Sequence, residues 1–159
     1  MTQIRAALDR LTAAIVATGA GQPRGAQLLP TTYRGPLDLA PAGGAHRRFE
    51  CLVSAGRAGR DMFGSGDACY NLDLAVRVAY SRLGGDAGGG DRKSVNVAAG
   101  SDATLIVDTL TDMRNWSPST TGIREVSFVP GSSAMVSDGA QLVVWETRLL
   151  LELQVAAPL

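Results

Sequence analysis

The stretch from Gly84 to Ser94, GGDAGGGDRKS, joins a glycine-rich backbone to Lys93-Ser94, the residue types with which a phosphate-binding loop cradles and neutralises a nucleotide. It departs from that signature in two ways. Arg92 stands where a glycine precedes the lysine, and Ser94 to Ala99 alternates like a short strand instead of opening a helix. Without a helix N-terminus there is no ring of amides and no dipole to hold an anion, so the stretch reads as a flexible connection.

Other reactive side chains are equally isolated. His46 lies in AGGAHRRF with no Cys, Asp or Glu at ligand spacing, which fits a solvent-exposed loop histidine. Ser65 in FGSGD lacks the strand and helix of a nucleophile elbow, and the chain has no HExxH and no CxxC. Cys51 and Cys69 each fall inside a strand pattern; they either face one another across a hairpin or stay as buried free thiols, and two thiols alone make no metal site. Asp108 and Asp112, four residues apart, share the solvated face of a helix. Arg47-Arg48 with Arg57 and Arg60 form a basic zone without interleaved aromatics, which leaves contact with phosphates or an acidic protein surface open but does not support base stacking. The chain is therefore expected to have no catalytic residues, no cofactor and no metal, and not to be an enzyme.

The elements that would position such groups centre on Asn71 to Leu83. Leu72, Leu74, Val76, Val78 and Tyr80 alternate with Asp73, Arg77 and Ser81, the pattern of an antiparallel strand with one covered face. Residues 2 to 18 read as a helix whose stripe is Ile4, Ala7, Leu8, Leu11, Ala14, Ile15 and Thr18, with Thr2 as N-cap and Gly19 as stop. From Gly19 to Arg47 four prolines punctuate a Gly/Ala-rich segment without periodicity. It is either an arm that orders in an assembly or a loop packed on its own subunit. Arg48 to Ala55 is a second strand, and Gly56 to Ala68 a projecting hairpin tip in which Met62 and Phe63 either fold back or meet another protein.

Ser101 to Trp116 reads as the second helix, capped by Ser101 or Asp102, with Ala103, Ile106, Val107, Leu110 and Met113 as its stripe. Gly122 to Pro130 and Gln141 to Val155 are the last two strands, with GSSAMVSDG as the loop between them. The order α-β-β-α-β-β implies a single α+β domain over residues 1–159: a four-stranded, mainly antiparallel sheet with both helices on its apolar face. The irregular arm spans 19–47, and Gly-rich loops span 56–68 and 84–93.

The charge of this 159-residue chain sums to zero, which argues against a general attraction to nucleic acid, but it is unevenly spread. Residues 1 to 60 carry eight Arg against Asp9, Asp38 and Glu50; the remainder has seven basic residues against twelve acidic. Such polarity suits identical subunits docking basic side to acidic side, or simply mixes over the folded surface. No apolar run reaches the roughly 18 residues of a membrane span, and MTQIRAALDRL reads as an amphipathic helix, not a signal peptide, so a soluble chain made in a reducing cytoplasm is expected.

The sequence resembles the tail terminator (tail completion) proteins of long-tailed bacteriophages and gene transfer agents. The likeness runs through IRAALDRLTAAI, the Pro-rich segment, RRFECLVSA, LDLAVRVAYSRL, the Gly-rich link, DATLIVDTLTDMRNW, and the closing pair IREVSFVPG and LVVWETRLLLELQV. It is a match of element order over nearly the whole chain. It implies a virion structural protein of the neck, assembled in the host cytoplasm. Six copies would form a homohexamer ring that caps the tail tube, docks the head-tail connector proteins, and lets DNA pass without sequence-specific binding. No cofactor and no membrane are implied. Loop character marks Arg57, Arg60, Met62 and Phe63 on the projecting loop, and Tyr33 and Leu37 on the arm, as protein-interface residues. The alternatives are another ring component of the neck or tail, such as a head-completion protein or a tube subunit, or a small-molecule-binding or enzymatic α+β domain.

Overall fold

The computed structural model describes residues 2–19, 28–30, 47–59, 68–81, 92–116, 122–139 and 142–155. The expected interface positions Tyr33, Leu37, Arg60, Met62 and Phe63, together with His46 and Ser65, lie outside them. Helix α1 (Thr2–Gly19) comes first, then strands β1 (Leu28–Pro30), β2 (Arg47–Gly59) and β3 (Ala68–Ser81). Helix α2 (Arg92–Thr111) and a 3-10 turn (Met113–Asn115) follow, and strands β4 (Ile123–Asp138) and β5 (Leu142–Val155) close the chain.

The α+β class holds, but the sheet has five strands, not four, in the order β1-β2-β3-β5-β4. The extra strand, β1, sits inside the segment expected to be an irregular arm, and it pairs parallel to β2 through Leu28↔Arg47 to Pro30↔Phe49. Three residues ending in proline carry no period-two signal, which is why the sequence hides it. The other three pairings are antiparallel. The expected strand boundaries also move outward: β2 runs four residues past Ala55 with a bulge between Ser54 and Arg57, and β4 continues to Asp138, so that all but the last residue of GSSAMVSDG is strand, not loop. Gly131, at φ +75, lies where the β4–β5 register shifts between Phe128 and Ser133, a left-handed kink that only glycine enters cheaply.

The alternating face of β3 is the core. Leu72, Leu74, Val76, Val78 and Tyr80 are all buried, and so are Val143, Leu149, Leu151 and Leu153, on the side of β5 that the register aligns with them. Ala7, Leu11 and Ile15 of α1 pack into the same cluster, as do Val95, Ala99, Ile106 and Leu110 of α2. Both helices therefore cover one face, as the sheet pattern requires. Helix α1 lies toward β1 and β2, and α2 toward β4 and β5.

Helix α2 begins at Arg92, nine residues before the expected start at Ser101. Val95-Asn96-Val97 imitates a strand, yet Val95, Ala99, Asp102, Ile106 and Leu110 share one buried helical face while Val97 is exposed. Ser101 and Asp102, either one expected as the cap, lie in interior turns of the helix. Met113, expected in the apolar stripe, is exposed in the 3-10 turn. A helix therefore does begin at Arg92, against the expectation of none after the glycine-rich link; the departure from the nucleotide-loop signature at Arg92 remains.

Candidate functional site

Three groups of side chains emerge once the sheet is assembled. The first is buried between α2 and the sheet. Tyr80 Oη donates to Asp102 Oδ2 at 2.8 Å, and Arg47 Nε lies 3.0 Å from the same oxygen. Tyr80 and Asp102 are almost fully enclosed, so one carboxylate ties β3 and β2 to α2. Burial raises the Asp102 carboxyl, against the opposing pull of Arg47 and of the Tyr80 hydrogen bond. Burial first, then the Asp102 charge, pushes the Tyr80 phenol up, so it stays a donor. This is a structural ion pair with a hydrogen-bonded partner. Sequence reasoning missed it by reading Asp102 as a cap; an acid at the centre of a four-and-three apolar spacing was the available signal.

A ladder of charges occupies the face turned away from the helices. Arg77 of β3 stands in register with Glu50 of β2 on one side and Glu146 of β5 on the other. Arg77 Nε donates to Glu146 Oε2 at 2.7 Å, Arg148 Nε donates to Glu146 Oε1 at 2.7 Å, and Arg77 Nη1 is 4.0 Å from Glu50 Oε1. Glu50 and Glu146 are both buried although no described helix covers this face. Ala79 and Val144 are buried beside them, packed by Leu142. Further along, Arg124 bridges Glu152 Oε1 at 3.3 Å and Cys69 Sγ at 3.2 Å.

The cysteines do not meet. Cys51 pairs with Val76 and shares the core face, while Cys69 pairs with Gly59 and points to the other side of the sheet. Burial pushes the Cys51 thiol up to about 11, partly opposed by a Thr12 hydrogen bond, which makes it a poor nucleophile. The expected Asp108–Asp112 pair is not one helical face either: Asp112 lies beyond the end of α2, caps the 3-10 turn by accepting from Arg114 N at 3.0 Å, and grips the Arg114 side chain.

The third feature is a pair of clefts at opposite ends of the sheet. Between α1 and β2, where β1 stops at Pro30, a cleft of ≈ 440 Å³ is lined by Ile4, Leu8, Phe49 and Cys51 with Arg5 and Asp9 on its helical side. At the far edge, Thr111 and Met113 face Val126 and Phe128 of β4 across another of ≈ 440 Å³. Phe128 and Met113 are exposed apolar side chains there. Of the expected interface residues only Arg57 is described, in the part of β2 beyond its bulge, where it pairs with Asn71.

Among the described residues no three His, Cys, Asp or Glu side chains stand together to hold a metal ion, and no helix is long and apolar enough to cross a membrane. Comparison with protein-family models and with curated proteins returns no match.

Proposed function

We propose that this chain is a ring-forming structural protein of the phage tail terminator type, placed at the neck of the virion, where copies cap the tail tube and offer a surface to the head connector. The observation that carries the reading is the pair of open strand edges. Among the described residues, strand β1 covers three residues of β2 and the outer side of β4 pairs with nothing. Unpaired edges are templates for another chain, and proteins that remain monomers blunt them. A subunit that must join two identical neighbours around a closed ring needs two such surfaces, one at each end.

The element order supports the same reading: an amphipathic α1, a β2–β3 hairpin, a glycine-rich link, α2 leading to Trp116, and a closing β4–β5 hairpin. In this reading the work is mechanical. The ring ends tube growth by occupying the last subunit interface, and its centre leaves a passage for DNA.

The test is assembly. Native mass and negative-stain microscopy of the chain, alone and with tail tube protein, should give closed rings and short capped tubes that no longer elongate. A chain that remains monomeric under both conditions overturns the proposal. A chain that polymerises by itself into stacked rings is a tube subunit instead.

A further inference from the structure

We infer that copies of this chain join head to tail through opposite edges of the sheet, Phe128 and Met113 of one copy entering the α1–β2 cleft of the next. The inference deepens the ring reading and rests on it. Phe128 aligns with Leu149 and so belongs to the helix-covered side of the sheet, yet it is 38% exposed because α2 ends before reaching it. Met113, in the turn after α2, is 44% exposed beside it. Together they form a part-exposed apolar patch at the β4 edge, on the rim of the cleft between α2 and β4. The receiving cleft opens on the same side at the other end of the sheet, with Ile4, Leu8, Phe49 and Cys51 in its wall. Its ≈ 440 Å³ falls within the range, about 300–1,000 Å³, that encloses small apolar ligands, so a phenyl ring and a thioether fit together.

Charge identifies the occupant as a second copy. On the α1–β2 side, Arg5, Arg10, Arg47 and Arg48 outnumber Asp9 and Glu50. On the α2–β4–β5 side the described residues hold seven acids, Asp108, Glu125 and Asp138 among them, against the five bases Arg92, Lys93, Arg114, Arg124 and Arg148. The uneven charge of the sequence is thus laid out across the sheet, basic end to acidic end. Each edge complements the opposite edge of an identical chain, whereas β4 against β4 would set one acidic edge, with Glu125 and Asp138, against another. Exposed Glu125 on β4 and exposed Arg5 on α1 flank the two halves of the contact.

Cross-linking separates the arrangements. In chains carrying Cys51→Ala and Cys69→Ala, Asp9→Cys marks the cleft and Ser127→Cys marks the β4 edge beside Phe128, which is kept. Treated with a short bismaleimide, each marked chain alone should stay uncross-linked, their mixture should give a covalent dimer, and a chain with both marks should give a ladder of multimers. Dimers from Ser127→Cys alone overturn the inference in favour of β4 meeting β4. A second probe needs no cysteine: Glu125→Lys should weaken self-association by about tenfold or more, and Arg5→Glu in the same chain should restore it. Rings that form without the mixed cross-link and ignore the charge swap overturn the edge assignment while the ring reading stands. A wild-type chain that never associates, with or without tube protein, overturns both.

Discussion

Tyr80 of β3 and Asp102 of α2 are joined by a 2.8 Å hydrogen bond in which the phenol donates and the carboxylate accepts, and Arg47 approaches the same carboxylate oxygen at 3.0 Å. Removing the acid would break the Arg47 ion pair and take the acceptor from the Tyr80 hydroxyl in a nearly closed space. Asp102→Ala is expected to cost about 3–5 kcal/mol, the range for breaking a buried pair by removing one partner. Tyr80→Phe removes one hydrogen bond to a charged group and is expected to cost about 1.5–3 kcal/mol. Urea unfolding of the two variants should keep that order.

Acid and base limits of stability should trace to different sides of Arg77. Burial pushes the Glu146 carboxyl up, but hydrogen bonds from Arg148 and Arg77 outweigh it, and its folded value lies below its unfolded 4.5. Its stabilisation is therefore complete above that value and is lost as pH falls through the folded one. Glu50 shifts the other way, raised by burial against the opposing charge of Arg77. Its contribution is present below 4.5 and is lost as pH rises through its folded value. In urea melts from acid to neutral pH, the deficit of Glu146→Gln against wild type should narrow with acid. For Glu50→Gln the wild type should lose ground as pH rises. Asp73 and Arg148 share this face, so both series belong at constant ionic strength.

Trp116 fastens the end of α2. Its indole Nε1 donates to the Leu110 carbonyl at 2.8 Å, and the residue is buried. Trp116→Phe keeps the apolar bulk but leaves that carbonyl unsatisfied, a penalty of about 1–3 kcal/mol. Amide exchange should quicken first at the last turn of α2.

The two cysteines should remain free. Because Cys51 and Cys69 lie on opposite faces of the sheet, mass spectrometry under oxidising conditions should find no intrachain bond between them. With its thiol pushed up to about 11, Cys51 should alkylate well behind an unstructured thiol at mildly basic pH.

Two glycines should differ in their tolerance of a side chain. Gly122 has φ +71, and an added Cβ would sit 3.1 Å from the Gln154 carbonyl oxygen, in the same place where the Gly122 carbonyl accepts from Gln154 N. Gly131 has φ +75 with nothing near. Alanine at Gly131 should cost only the left-handed penalty of about 1–2 kcal/mol, and alanine at Gly122 more, as read by melting temperature.

Residues that repeat their environment were legible in the sequence. The run Leu72 to Tyr80, the alternation Val143 to Leu153, and the Ala7, Leu11, Ile15 stripe each gather their large apolar residues on one side, so their period survives in the letters. Features made by tertiary contact were not. Strand β1 is defined by its neighbour β2 and not by its own three residues. The start of α2 was masked by Val95-Asn96-Val97 and by Gly100, a poor helix former retained inside the helix. The outer half of β4, mostly polar and exposed, reads as a loop because an edge strand has little to bury. The charge ladder around Arg77 needed the register of three strands before Glu50, Arg77 and Glu146 became neighbours.

Strands β3 and β5 meet along fourteen residues each, from Ser81↔Leu142 to Ala68↔Val155. The sheet is therefore two hairpins closed along one seam, with all of α2 lying in the chain between them. Each hairpin can form from near neighbours, but the seam must close a long loop before any of its contacts repay that entropy. The zippering of β3 to β5 is accordingly the step expected to be slow in folding, and until it closes the most apolar strands of the protein stand open to the wrong partner.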